Sequence, residues 1–129
     1  MIAIDTNVLV RLLVSDNPIQ SKACQRLFAS ENIFIADTVL LETEWVLRAA
    51  FGLNAVDICT AFRSVCGLQN VTLNDAQLLA QVIDWHEAGL DFADAFHLAL
   101  SSEQEVFKTF DVHFIKSAKK NTGLRVERP

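Results

Sequence analysis

The chain has 129 residues, 51% of them hydrophobic, and a formal net charge of −5 at pH 7. That length suits one domain with a real core, and no run reaches the ~18 uninterrupted apolar residues of a membrane span. The acidic balance counts against a simple nucleic-acid-binding module, which is usually basic, unless the negative charge is gathered to hold cations that reverse the local potential.

Met1 to Ile4 reads as a short buried parallel strand. Asp5 and Arg11 interrupt the apolar N-terminus and no basic segment precedes it, so it does not read as a secretory signal and the chain is expected in the cytoplasm. A short helix is expected over Asn7 to Leu13. After the turn Ser15-Asp16-Asn17-Pro18 comes a helix to about Ser30, with Pro18 in its first turn. Asn32 to Ala36 reads as a second strand. Asp37 or Thr38 can cap a helix to about Phe51, which Gly52 can end. Asn54 opens the next helix, with Asp57 in its first turn and Gly67 at its close. Val71 to Leu73 is a brief strand or only a connection. Asn74-Asp75-Ala76-Gln77 resembles a capping box for a helix that ends before Gly89. Asp91 can cap a helix to about Ser102, Val106 to Phe110 reads as a strand, and Leu124 to Val126 as the last one.

Strands alternating with helices imply an α/β fold with a mainly parallel central sheet between helical layers. Sites in such sheets form at the carboxyl ends of strands. With no repeat, low-complexity run or linker, residues 1–129 read as a single domain.

Four acids stand where strands end or helices begin: Asp5, Glu42, Asp94 and Asp111. Carboxylates brought together there repel one another unless protonated or holding a metal, so a hard divalent cation is the first expectation. Each acid also has an ordinary reading. Asp5 can cap the first helix, although Thr6 or Asn7 can do so equally well. Glu42 sits among Leu40, Leu41, Trp45 and Val46, where an unpartnered charge is costly if buried; Glu44 is its rival. Asp94 suits a first helical turn, Asp91 suits the N-cap itself, and Asp111 is also an ordinary turn residue.

His97, three residues after Asp94, is more readily a surface residue than a base, and His86 and His113 show no partner spacing. Trp45 and Trp85, with Phe92 and Phe96, read as core rather than as nucleobase platforms. Cys24, Cys59 and Cys66 lack metal-ligand spacing and read as reduced thiols, so zinc is not expected. Lys116, Lys119, Lys120, Arg125 and Arg128 form a basic stretch that suits either phosphates or solvent. No phosphate loop or Ser/His/Asp arrangement is present.

Taken in order, Ile2-Ala3-Ile4-Asp5-Thr6-Asn7-Val8-Leu9, Leu41-Glu42, Leu90-Asp91-Phe92-Ala93-Asp94-Ala95 and Thr109-Phe110-Asp111 resemble the PIN-domain nucleases, and among them the VapC-type toxins of type II toxin–antitoxin systems. The resemblance spans essentially the whole chain. It implies a three-layer α/β/α PIN-like domain and a metal-dependent endoribonuclease. Asp5, Glu42, Asp94 and Asp111 would be its catalytic and metal-binding acids. Asp91 would be an additional acid able to assist or replace Asp94 or Asp111, and Thr6, Asn7 and Thr109 would support the site by hydrogen bonds. It further implies Mg²⁺ or Mn²⁺, an RNA substrate cut to leave a 5′-phosphate, a protein antitoxin and a homodimer. The apolar helix containing Val39, Leu40, Leu41, Trp45, Val46, Leu47 and Phe51 suits deep burial or such a partner.

Two other readings compete. Haloacid-dehalogenase-like phosphatases also open with a strand followed by Asp, but they normally carry a second Asp two residues on, where this chain has Asn7. A non-catalytic RNA- or protein-binding domain would keep the same acids for structural reasons.

Overall fold

Short polar side chains decide where most helices of this protein begin. The structure is a computed structural model describing residues 1–129, and it divides into two compact units, Met1–Ala76 and Gln77–Pro129.

In the first unit, β1 (Ile2–Ala3), β2 (Ile33–Ile35) and β3 (Val71–Leu73) form a parallel sheet in the order β1-β2-β3. Ile2 aligns with Ile33 and Ile33 with Val71. Ile33 and Ile35 of the central strand are fully buried. Helix α1 (Thr6–Leu13) follows β1 directly, and α2 (Pro18–Ser30) begins at Asn17, whose side chain accepts from Gln20 N–H at 3.1 Å. Helix α2 buries Ser21, Cys24 and Phe28, a one-sided helical spacing. Asn70 ties the end of α2 to the start of β3 by donating to Phe28 O at 2.6 Å and Glu31 O at 2.7 Å. Helix α3 (Asp37–Ala49) follows β2 and buries Leu40, Thr43, Glu44 and Leu47. Gly52, at φ +65°, supplies the left-handed residue that turns the chain into α4 (Ala55–Cys66), which Asn54 caps.

Helix α5 (Ala76–Ala88) leads into the second unit, where α6 (Phe92–Leu100), β4 (Phe107–Lys108), α7 (Val112–Asn121) and β5 (Val126–Glu127) follow. Strands β4 and β5 pair in parallel, Phe107 with Val126. Phe92 meets His86 and Phe96 edge-on at ring separations of 5.3 and 5.8 Å, a favoured aromatic geometry. His86 is buried, with Nδ1 2.7 Å from Leu90 O; a carbonyl only accepts, so Nδ1 carries the proton.

Every strand pair is parallel, and the α/β class expected from the sequence holds. Several local expectations do not. Strand β1 lies at an end of its sheet and is not buried, with Ile2 38% exposed. Helix α3 has Ala36 at its N-cap and no side-chain cap; Asp37 lies inside the first turn, and Thr38 likewise does not cap. Trp45 is 59% exposed rather than core, and Trp85 is half-buried, whereas Phe92 and Phe96 are fully buried as expected. Helix α7 was unexpected. Its buried residues Phe114, Ser117 and Ala118 have helical spacing, but the lysines between and beyond them dilute the pattern.

Candidate active site

In the first unit, Asp5 leaves the carboxyl end of β1 and caps α1. Its Oδ1 accepts from Val8 N–H at 3.0 Å, so neither Thr6 nor Asn7 takes that role. One oxygen serves the helix, and the carboxylate also lines a cavity of about 490 Å³. Thr6, Asn7, Val10 and Arg11 of α1 share that cavity with Glu42, Val46 and Ala50 and with Phe51 beyond α3. Two of the four acids, and two of the three supporting residues, therefore meet at one cavity built from α1 and α3.

The acid buried by α3 is Glu44, not Glu42. Glu44 is 3% exposed and accepts from Arg48 Nε at 2.8 Å, while Glu42 is exposed. Two positions along a helix turn side chains by about 200°, so one glutamate faces the core and the other the cavity. The expectation of a costly buried charge belongs to Glu44, and Arg48 partners it.

In the second unit, Asp91 caps α6, its Oδ2 accepting from Asp94 N–H at 3.2 Å. Asp111 caps α7, its Oδ1 accepting from Phe114 N–H at 3.1 Å. Thr109 Oγ1 accepts from Asp111 N–H at 3.1 Å and so braces the residue carrying the fourth acid. Asp94 is the acid that feels its neighbours. Burial, then repulsion from Asp91 and Asp111, raises its pKa, and His97 and His113 partly offset this. Such a carboxylate gains from either a proton or a cation.

These oxygen donors suit a hard divalent ion. No three His, Cys, Asp or Glu side chains are gathered closely enough to hold a metal ion among themselves. Mg²⁺ ordinarily needs only one or two carboxylates, because it keeps several of its waters. Thiol chemistry is disfavoured: no cysteine is in a disulfide, burial pushes Cys66 up to about 11, and burial also raises Cys24.

Arg11 was not among the residues expected at this cavity. It is the only cationic side chain lining the Asp5–Glu42 cavity. The signal was its place four residues after Asn7, one turn along the same helical face.

Residues 2–120 match the PIN domain. No curated protein sequence is a significant match. Among solved structures, the chain is similar to VapC20 of Mycobacterium tuberculosis, a toxin that cleaves the sarcin–ricin loop. The two share 23% identity over 97% of this chain and 99% of that one, with a TM-score of 0.46. With a match that takes in nearly the whole sequence, and with the strand–acid–helix order it requires in place, the chain belongs to the PIN-domain family.

Proposed function

We propose that this protein is a metal-dependent endoribonuclease, the toxin of a toxin–antitoxin pair, working as one PIN nuclease domain over residues 1–129. The observation that carries the reading is the shared cavity of Asp5 and Glu42 at the carboxyl end of β1, in a chain of the PIN-domain family. Asp5, Glu42, Asp94 and Asp111 are the catalytic acids, with Asp91 assisting; assigning all of them to one reaction rests on the family resemblance. Mg²⁺ or Mn²⁺ would be held by these carboxylates, and when bound it supplies the positive charge that activates water and eases departure of the 3′-oxygen. The chain's own part is placement. Capping fixes Asp5 on α1, Asp91 on α6 and Asp111 on α7, and Thr109 steadies Asp111. Thr6 and Asn7 offer further polar atoms around Asp5. Asn7 occupies the place where a phosphatase of the haloacid dehalogenase type would need its second aspartate, and a carboxamide cannot replace that acid.

The antitoxin and homodimer follow from the same resemblance. Exposed Trp45 and Val56, 59% and 58% accessible, are apolar surface suited to a protein partner. No helix is long and apolar enough to cross a membrane, in keeping with a cytoplasmic toxin. Incubating the purified protein with total RNA tests the activity: cutting with Mg²⁺ or Mn²⁺ that EDTA abolishes supports it. Absence of both cutting and divalent-ion binding would leave a non-catalytic binding domain as the better reading.

A further inference from the structure

We propose that Arg11 is a phosphate-binding residue of the Asp5–Glu42 cavity, positioning a backbone phosphate of single-stranded RNA beside the two acids. The inference rests on the nuclease reading and adds a residue to it. A cavity bearing two carboxylates repels a polyanion, and this chain carries a net charge of −5. Arg11 is the one lining residue that opposes that repulsion.

Its side chain is held in a fixed orientation. Nε donates to Gln20 Oε1 at 2.8 Å, and Nη1 donates to Asp16 Oδ1 and Oδ2 at 2.9 and 3.1 Å. Both partners lie at or beyond the α1–α2 turn, and Ser21 Oγ donates to Arg11 O at 2.9 Å, which ties the same helical turn to α2. These bonds use Nε and Nη1 and leave the two donors of Nη2 for a ligand. The Arg11 side chain is 24% exposed, so it is restrained without being fully enclosed. Arginine presents several donors in a fixed plane and is well matched to phosphate oxygens. Because Asp16 and Gln20 already order it, little rotamer freedom remains to be lost on binding.

The bland alternative is that Arg11 only clamps α1 to α2. The two roles separate by experiment. A fluorescent single-stranded oligoribonucleotide is titrated, by anisotropy and in EDTA to prevent cutting, against wild type, Arg11→Gln and Gln20→Ala over a range of salt concentrations. Melting curves are recorded alongside. Gln20→Ala breaks part of the clamp but keeps the charge, so it should lower the melting temperature and leave the salt dependence intact. Arg11→Gln should weaken binding roughly tenfold and reduce the slope of log K against log salt by about 0.7, the value for one lost contact to a single strand. Arg11→Lys should recover the slope and only part of the affinity.

Unchanged affinity and slope in Arg11→Gln, while wild type still cleaves RNA, would overturn the assignment and leave the nuclease reading standing. Equal losses in Gln20→Ala and Arg11→Gln would also overturn it, in favour of the clamp. A lost slope in a wild-type background that binds RNA but never cuts it would keep the Arg11 contact and remove the nuclease. No binding by wild type in EDTA would overturn the Arg11 contact, while the nuclease reading would stand or fall on cleavage with Mg²⁺ or Mn²⁺.

Discussion

Glu44 and Arg48 form a 2.8 Å ion pair on α3, with the glutamate at 3% exposure and the arginine side chain at 49%. Glu42, two residues earlier, is exposed and lines the cavity shared with Asp5. One short stretch of helix thus divides its acids between core and site.

That division separates two substitutions. Glu44→Gln should lower stability by about 1.5–3 kcal/mol, the usual worth of a hydrogen bond to a charged group, with RNA cleavage largely retained. Glu42→Gln should leave the urea midpoint nearly unchanged and lower cleavage by about a hundredfold or more. Denaturant melts and initial cleavage rates on both variants check the pair; the opposite pattern would make Glu44 the functional acid.

The fold was legible where local chemistry agreed with tertiary demand. Asn17, Pro18, Asn54, Asp91 and Gly52 mark helix ends in the sequence and act there in the structure. It was less legible where a partner element decides. Nothing local says that β1 ends its sheet, that Trp45 points away from the core, or that lysines flank a buried Phe114–Ala118 face on α7. Among residues lining the cavity, Asp5 and Glu42 stood out in the sequence because acids interrupt apolar runs there. Arg11 did not, because one cation near a turn gains meaning only when Asp16 and Gln20 are seen to hold it.

Asp94 carries a pH-dependent penalty. Its folded pKa lies above the ordinary carboxyl value of 3.8, through burial and then through Asp91 and Asp111. The folded state therefore binds the proton more tightly than the unfolded state. The ionised group costs nothing below the ordinary value, begins to cost as pH rises past it, and costs fully above the raised value. Asp94→Asn should stabilise the metal-free protein at pH 7 and have little effect at pH 3. Urea unfolding at both pH values decides; destabilisation at pH 7 would contradict the assignment.

Thiol reactivity should be low at neutral pH. Burial raises the Cys66 pKa to about 11, so its thiolate is scarce near pH 7 and grows as pH approaches that value. Alkylation by iodoacetamide, followed by peptide mass, should show slow modification of Cys66 at pH 7.5 that accelerates with alkali up to unfolding. Rapid labelling of the native protein at pH 7.5 would show the thiol to be more open than its surroundings indicate.

In the proposed nuclease Asp5 acts as a charged metal-binding acid and not merely as the cap of α1. Asparagine caps as well as aspartate, so Asp5→Asn can keep the Val8 N–H bond while removing the charge. The decisive measurement is the rate of RNA cleavage by wild type and Asp5→Asn with Mg²⁺ or Mn²⁺, with melting curves on both. Cleavage by wild type alone, at equal melting temperatures and abolished by EDTA, is the expected result. Cutting that persists in Asp5→Asn or in EDTA would contradict the acidic metal site.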